Sequence, residues 1–402
     1  MGVRARWPLP PPLRTLKKLS LGMERRRSYL EKARRVVLKL GSSVLTAEDS
    51  LNLPLIQRLV GEIAQLRQAE RQFVMVSSGA VAAGLKKLGI CIRPTGMPQV
   101  QAVAAAGQST LIQTYEEAFA AHGLKVAQIL LTSDDLAARE RFVNAKNTLF
   151  TLLQWGVVPI INENDTVATD ELKFGDNDHL AALIANLVEA DLLVLLTNTE
   201  GLYARDPRED PEAPLLTFLD TTDPRLATAA GERPGALGTG GMVSKLEAVK
   251  KAASAGVPSL IANGLRPGVL GEIFGGQDVG TFFLPQTHKL SSRQYWLAYN
   301  VAPKGAILVD TGAREALVRL GKSLLPAGIL EVFGGFRKGA PVSLMDPEGQ
   351  TFAVGLSNYS SRDINRIKGK HTQEIAQSLG HEDTDEVIHR DNLVIFPEFG
   401  GG

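Results

Sequence analysis

Short apolar runs alternate with longer amphipathic segments from Val36 to about Ile261, and this alternation most constrains the fold. The runs are 36–40, 73–76, 126–131, 157–161, 192–196 and 258–261. They are apolar at successive positions, which predicts strands buried on both faces of a mostly parallel sheet. Between the first two runs, residues 55–66 have apolar side chains at helical spacing. The pattern predicts a three-layer αβα domain whose ligands bind beyond the carboxyl ends of the strands.

The composition changes after this domain. Residues 285–302 are polar and aromatic without a repeat, so we interpret them as a linker between 35–284 and a second domain. Beyond the linker, short strands such as 306–309 and 394–395 are separated by glycine, proline and aspartate, which are turn formers. This spacing predicts a small β-barrel-like domain over residues 303–396.

The first 34 residues form a basic segment. The first 35 residues contain 11 of the 44 lysines and arginines and only 2 acids, which leaves a net charge of −8 on the remainder. The segment lacks the roughly 7–15-residue apolar core of a secretory signal. We therefore interpret it as a disordered extension, or as an upstream start before Met23. The acidic remainder argues against a general nucleic-acid binder.

Two features of the composition bear on location. The single cysteine cannot form an internal disulfide, which fits a reducing compartment. No apolar run reaches the roughly 18 residues that span a bilayer. The sequence therefore predicts a cytoplasmic protein without a membrane partner.

Small polar turns follow the first two predicted strands. The first ends in Lys39, followed by Gly41 and two serines, and the second ends in two serines and Gly79. A lysine and backbone N–H groups at such turns can bind a phosphate. Alternatively, Lys39 extends from a strand end into solvent, which is the more common arrangement for a lone lysine.

The fourth predicted strand is followed by an unusual concentration of polar side chains. They occupy 162–165 and 176–178. Clustered Asp and Asn could order lysines, bind a metal or hold an amino-acid substrate. The alternative is a solvated acidic loop that caps the helix at 179–188. Asp178 could also be this cap while Asp176 remains functional.

A glycine-rich segment, 238–245, precedes a predicted helix at 243–255. Its glycines allow backbone N–H groups to approach a polyphosphate, and Lys245 adds a positive charge. The spacing fits neither the classical phosphate loop nor the dinucleotide fingerprint. Two other chemistries are absent from the sequence: it has no H-E-x-x-H zinc motif and no G-x-S-x-G serine elbow.

Taken together, these segments resemble the amino-acid kinase family, and within it the glutamate 5-kinases. The matching segments, in order and at the family's spacing, are 36–41, 76–84, 139–147, 161–168, 175–178 and 238–245. The closing segment is similar to PUA domains at 309–313 and 323–328. The resemblance covers about 34–396.

The resemblance implies ATP-dependent phosphorylation of the side-chain carboxylate of L-glutamate, the first step of proline biosynthesis. It implies catalytic roles for Lys39 and Lys245, with Asp176 holding the two lysines. Implied glutamate contacts are Ser78, Asp165, Asn177 and Asp178. Implied ATP contacts are Lys39, Thr197, Asn198, Thr239, Gly240, Gly241, Met242, Val243, Ser244 and Lys245. Asn198 departs from the family pattern, in which this position is often Asp.

The resemblance also implies partners: Mg²⁺ carried as Mg·ATP with no separate protein metal site, L-proline as feedback inhibitor, a dimer or tetramer, and a glutamyl phosphate reductase that receives the product. Two alternatives stay open. The first is another kinase of the same fold, acting on acetylglutamate, aspartate or carbamate. The second is an RNA-binding protein acting through the PUA-like domain, where 10 bases and 7 acids over 303–381 make RNA an unexpected partner.

Overall fold

The structure, a computed structural model, describes residues 13–47, 50–168, 177–221, 223, 225–226, 241–286, 289–380 and 384–396. Contacts divide the chain into two units. The first comprises residues 1–135 and 143–289, and the second comprises 136–142 and 290–402.

The first unit contains, within the described residues, a sheet of eight strands in the order β5-β6-β4-β1-β7-β9-β10-β8. Its strands are β1 (Arg35–Leu40), β4 (Gln72–Ser77), β5 (Val126–Leu131), β6 (Val158–Glu163), β7 (Leu192–Thr197), β8 (Phe218–Asp220), β9 (Ser259–Asn263) and β10 (Thr281–Leu284). A separate short pair consists of β2 (Thr46–Ala47) and β3 (Ser50–Leu51). Every neighbouring pair from β5 to β9 is parallel, whereas β10 runs antiparallel to β9. The predicted α/β fold with a mostly parallel sheet is confirmed.

Helices cover both faces of this sheet. The helices described between residues 13 and 274 include α1 (Leu13–Lys32), α2 (Ser42–Leu45), α3 (Leu53–Arg67), α4 (Ala80–Leu88), α5 (Met97–Ala120), α6 (Ser133–Ala137), α7 (Arg139–Gln154), α8 (Asn177–Leu187), α9 (Met242–Ser254) and α10 (Val269–Phe274). Residues 136–142, which include parts of α6 and α7, belong to the second unit. Val36, Leu38 and Leu40 of β1 pack in one core cluster with residues of α3 and α5. Because side chains alternate along a strand, Lys39 lies on the opposite face, where α8 packs against β1.

The N-terminal helix differs from the predicted disordered extension. Gly22, Arg26, Leu30 and Ala33 recur at helical spacing and are all buried. Arg26 donates hydrogen bonds to backbone carbonyls in the segment before β10, at residues 277 and 279. The other basic residues of α1 therefore flank a stripe of four buried residues, and this stripe packs against the rest of the first unit. Residues 1–12 lie outside the described residues.

The second unit contains, in the part of the chain that the structure describes, a five-stranded sheet in the order β12-β11-β13-β14-β15. Its strands are β11 (Ala306–Val309), β12 (Ile329–Phe333), β13 (Pro341–Met345), β14 (Thr351–Leu356) and β15 (Leu393–Ile395). Its helices are α11 (Ser292–Tyr299), α12 (Thr311–Leu320), α13 (Ser361–Ile367) and α14 (Ile375–Leu379), with 3₁₀ turns at Pro326–Gly328, Thr372–Glu374 and Arg390–Asn392. The predicted strand-rich second domain is confirmed.

Part of the segment interpreted as a linker is helical. Ser291 and Gln294 form a reciprocal capping box that starts α11. Leu297 of this helix is buried against Val354 and Val394 of the second unit. Among the described residues, no helix is long and apolar enough to cross a membrane.

Candidate active site

The carboxyl ends of four neighbouring strands, β6, β4, β1 and β7, meet at one edge of the sheet. Leu40 at the end of β1 is in register with Ser77 of β4 and Leu196 of β7. The register therefore brings Lys39, the serine pair after β4 and the Thr197–Asn198 pair to a common edge. This is the edge at which ligands of parallel α/β sheets bind.

A buried carboxylate joins the two lysines that sequence reasoning selected. Asp178 Oδ1 lies 2.5 Å from Lys39 Nζ, and Asp178 Oδ2 lies 3.0 Å from Lys245 Nζ. Asp178 is fully buried, and Lys39 and Lys245 are only 2% and 6% exposed. Isolated buried charges of this kind are very unfavourable unless paired. Lys39, Asp178 and Lys245, which we call the lysine triad, therefore pair two buried ammonium groups with one carboxylate and hold them close together.

Three different elements deliver the triad. Lys39 is the second-last residue of β1, Asp178 is the second residue of α8, and Lys245 is in the first turn and a half of α9. Ser244 adds a further hydrogen bond, because its hydroxyl lies 3.0 Å from Asp178 Oδ2 and 2.9 Å from the Gly241 carbonyl. Both α8 and α9 thus begin at the site and direct their N-termini toward it.

The start of α9 has the properties of an anion site. Gly241 occupies the N-cap position and makes no side-chain cap hydrogen bond. The first N–H groups of such a helix lack intrahelical partners and carry partial positive charge. Met242 and Val243, which complete this turn, keep part of their surface exposed. Thr239 and Gly240 lie outside the described residues.

A second cluster of hydrogen bonds surrounds the Asn177 side chain. Its Nδ2 lies 3.0 Å from the Ser77 carbonyl, 2.9 Å from Ser78 Oγ and 3.1 Å from Asn162 Oδ1. An amide NH₂ has only two hydrogens, so three acceptors exceed what it can donate to. Asn162 Oδ1 also accepts from the Glu163 N–H at 3.0 Å, whereas Ser78 Oγ can accept from another donor.

The remaining predicted residues are placed as follows. Thr197 ends β7 and its Oγ1 lies 3.4 Å from Asn198 Oδ1. Asp165 lies in the turn after β6. Asp176 lies outside the described residues, and the contact with both lysines that the sequence analysis assigned to it is made here by Asp178.

Sequence reasoning missed three groups at this edge: the Asn162 amide, the Ser77 hydroxyl and the Tyr115 hydroxyl that contacts it. Asn162 belongs to the polar run after the fourth predicted strand, so a signal existed for it. Tyr115 lies 38 residues after Ser77 in the chain, and no local pattern joins the two.

The comparisons with known proteins agree with this geometry. The profile described as "Amino acid kinase family" matches residues 34–263. The chain belongs to the amino-acid kinase family. The PUA domain profile matches residues 305–379, so both predicted family resemblances are confirmed.

Three relatives match nearly the whole length of this amino-acid kinase. The glutamate 5-kinases of Pelobacter propionicus and Geobacter sulfurreducens are 50% and 52% identical over 371 residues, which cover 92% of this chain and all of each relative. The glutamate 5-kinase of Syntrophus aciditrophicus is 49% identical over 372 residues, covering 92% of this chain and 97% of the relative.

A second titratable pair connects the two helices of the kinase site. Lys251 Nζ of α9 contacts Nδ1 of His179, the neighbour of Asp178 on α8. Burial, with the nearby Lys251 charge, lowers the pKa of His179 to about 3, and burial lowers the pKa of Lys251 to about 8. His179 is therefore neutral at pH 7, so its Nδ1 can accept a hydrogen bond from the lysine.

The described residues offer no protein cage for a metal in this kinase. No group of three or more possible metal ligands occurs among them. Both oxygens of Asp178 already contact ammonium groups. These residues fit Mg²⁺ only as an ion held mainly by nucleotide phosphates and water, which is how this ion is commonly bound in kinases.

Proposed function

We propose that this chain is a glutamate 5-kinase, which transfers the γ-phosphoryl group of ATP to the side-chain carboxylate of L-glutamate. The products are L-glutamyl 5-phosphate and ADP, and the reaction is the first step of proline biosynthesis. The relatives named glutamate 5-kinase support this function at 49–52% identity over 92% of the chain. The observation that carries the chemistry is the buried bridge from Asp178 to Lys39 and Lys245.

The reaction requires charge stabilisation rather than a base. The attacking carboxylate has an ordinary pKa near 4.3 and is ionised at pH 7. Catalysis of phosphoryl transfer therefore rests on positioning and on neutralising the equatorial oxygens. Lys39 and Lys245 supply two ammonium groups for those oxygens, and Asp178 positions both. Backbone N–H groups at Gly41 and Gly79 add donors.

The two clusters at the strand ends divide the substrates between them. We assign L-glutamate to the cluster around Asn177 and Ser78, where Ser78 Oγ can receive the substrate ammonium group, and to Asp165 in the turn after β6. An acetylated amino group carries no positive charge and one hydrogen, so this cluster favours free glutamate over acetylglutamate.

ATP is assigned to the edge formed by β7 and α9. Thr197 ends β7 and Asn198 follows it, and the first N–H groups of α9 together with Lys245 face the phosphates. Magnesium bound to ATP supplies further neutralisation of the phosphate charge when it is present. Asn198 provides an amide in place of the carboxylate often found in relatives, and it keeps hydrogen-bonding capacity without charge.

The deciding experiment is ADP release by the purified chain with Mg·ATP. L-Glutamate, acetylglutamate and aspartate are compared, each with and without proline. We expect turnover with glutamate alone and suppression by proline. Turnover only with another acid would keep the fold and the lysine chemistry but refute the substrate.

Five further expectations stay predictions: inhibition by proline, assembly into a dimer or tetramer, transfer of the product to a glutamyl phosphate reductase, a cytoplasmic location, and no RNA partner. RNA binding is tested by filter binding at two salt concentrations. Salt-sensitive binding below micromolar would contradict the expectation, because phosphate contacts make affinity fall steeply with salt.

A further inference from the structure

A buried hydrogen-bonded relay lies directly behind the turn after β4. Tyr115 of α5 places its hydroxyl 2.9 Å from Ser77 Oγ, which in turn lies 3.0 Å from the Ser78 carbonyl oxygen. Both Tyr115 and Ser77 are completely buried. Neither hydroxyl touches the lysine triad, and the mechanism above uses neither of them.

The chemistry of the three groups sets the direction of the relay. A carbonyl oxygen can only accept, so Ser77 donates its single proton to the Ser78 carbonyl. Tyr115 must then donate to Ser77 Oγ. Burial raises the pKa of the Tyr115 phenol far above its ordinary value, so the phenol stays a donor at every working pH.

Holding the Ser78 carbonyl also orients the next N–H group. The peptide between Ser78 and Gly79 is planar and trans, so the Gly79 N–H points opposite to that carbonyl. Tyr115 belongs to the core cluster on one face of the sheet, whereas Lys39 lies on the other face. The N–H is therefore directed away from Tyr115.

Two observations at Gly79 bear on the role of this N–H. Within the described residues, the Gly79 N–H has no hydrogen-bond acceptor from the protein. Gly79 has φ +103°, and an added Cβ would lie 3.0 Å from the Leu51 side chain. The position thus combines an unpaired donor with a backbone conformation and a space that favour glycine.

We propose that Tyr115 and Ser77 are positioning residues. They orient the Gly79 N–H toward the phosphoryl group that the kinase reaction transfers. This inference rests on the proposed function, because it assigns the donor to an anionic reacting group at the lysine site. Neither side chain touches the substrate. Both act through the single peptide that they orient.

The kinetic test uses Y115F, S77A and the double variant, with Y359F as matched control. Tyr359 is also a buried tyrosine, and its hydroxyl donates to the Thr384 carbonyl in the second unit. We expect Y115F and S77A each to lower kcat about tenfold, below the roughly 10²–10³-fold loss of a whole oxyanion donor. The KM for ATP stays unchanged, and Y359F keeps wild-type kcat.

The double variant separates positioning from general destabilisation. If Tyr115 acts only through Ser77, the double variant loses no more kcat than S77A alone. If the kcat losses of the two single variants multiplied in the double variant, the relay would be refuted. Unchanged kcat in the single variants would refute it as well. A loss of thermal stability without a change in kcat would assign the pair a structural role alone.

A second readout does not depend on turnover. Residues 78–79 are the only Ser–Gly sequence in the chain. Cell-free protein made with carbonyl-labelled serine and nitrogen-labelled glycine therefore gives one correlated amide resonance, that of Gly79. We expect Y115F and S77A to shift this resonance and Y359F to leave it in place.

The two readouts distinguish failure of the relay from failure of the proposed function. A wild-type enzyme that turns over glutamate, with an unshifted Gly79 resonance in Y115F, refutes the relay and leaves the function intact. A wild-type chain without turnover refutes the function, and the Gly79 resonance still decides whether the relay orients this peptide.

Discussion

Replacing Asp178 with asparagine tests whether one carboxylate holds both lysines. The substitution keeps the shape of the side chain but removes its charge and turns one oxygen into an NH₂ donor. In the structure, Oδ1 faces Lys39 at 2.5 Å and Oδ2 faces Lys245 at 3.0 Å. One ammonium group would therefore face another donor, and both would lose their counter-ion.

The magnitude follows from burial. Asp178 has no exposed surface, and neither lysine exceeds 6% exposure. Removing one partner of a buried ion pair typically lowers the free energy of unfolding by about 3–5 kcal/mol. For a domain of this size, that loss corresponds to a fall in Tm of roughly 10 °C. Because both lysines lose their positions, we expect kcat to fall by about 10²-fold or more.

The assay pairs thermal unfolding with ADP release at pH 7, and E331Q serves as control. Glu331 Oε1 lies 2.7 Å from Lys368 Nζ, but this pair is exposed in the second unit. Exposed pairs contribute little to stability, so E331Q should leave Tm and kcat nearly unchanged. If D178N shifted Tm no more than E331Q, the bridge would not hold buried charge, and the reasoning would be refuted.

Four other outcomes follow from the same contacts. Lys245→Ala should lower kcat by roughly 10²-fold or more, and an unchanged kcat would remove it from the reacting site. Asn177→Ala should raise the KM for glutamate more than that for ATP in steady-state kinetics; equal changes would contradict its assignment. Arg26→Met should lower the free energy of unfolding by about 1–3 kcal/mol because buried carbonyls lose their donor, whereas the exposed Arg25→Met should not. Burial lowers the pKa of His179 from 6.5 to about 3, so the unfolded state takes up its proton first, and stability falls as pH drops through this window. In urea titrations, His179→Gln should reduce the slope of the free energy of unfolding against pH by at most about 1.4 kcal/mol per pH unit. Parallel curves for the wild type and the variant would contradict the assignment.

The sequence was sufficient to predict the sheet and the edge that carries the site. Apolar runs at successive positions are a strong signal for buried parallel strands, and their ends place Lys39 and Thr197 without further information. The parallel arrangement then brings residues distant in the chain to one edge. What the sequence could not supply is the strand order, because it depends on how the helices pack.

The position of Asp178 shows the limit of motif reasoning. The sequence left two roles open for Asp178, a glutamate contact and a helix cap whose carboxylate would turn to its own backbone. The helix instead begins at Asn177, so Asp178 lies inside the first turn. Successive helical residues point about 100° apart, so the residue at which the helix begins decides where the Asp178 carboxylate points.

The N-terminal helix was missed for a different reason. Eleven bases in 35 residues suggested a solvated extension. The positions that matter are Gly22, Arg26, Leu30 and Ala33, and only two of these are aliphatic. A buried arginine that donates to backbone carbonyls replaces the apolar residue that a hydrophobic pattern would require. The buried positions of α1 recur at helical spacing, but the hydrophobicity of these residues does not reveal that spacing.

The lysine triad is better explained by catalysis than by stability. Buried ion pairs rarely stabilise a fold more than apolar residues of the same size, because desolvation offsets their attraction. Lys39, Asp178 and Lys245 together carry a net charge of +1 in a site that is already shielded from water. In the proposed reaction, an arriving phosphoryl group meets oriented positive charge, and little reorganisation remains for the reaction step. In the proposed reaction, Asp178 keeps the two lysines from separating before the substrate arrives, a role that an apolar core could not fill.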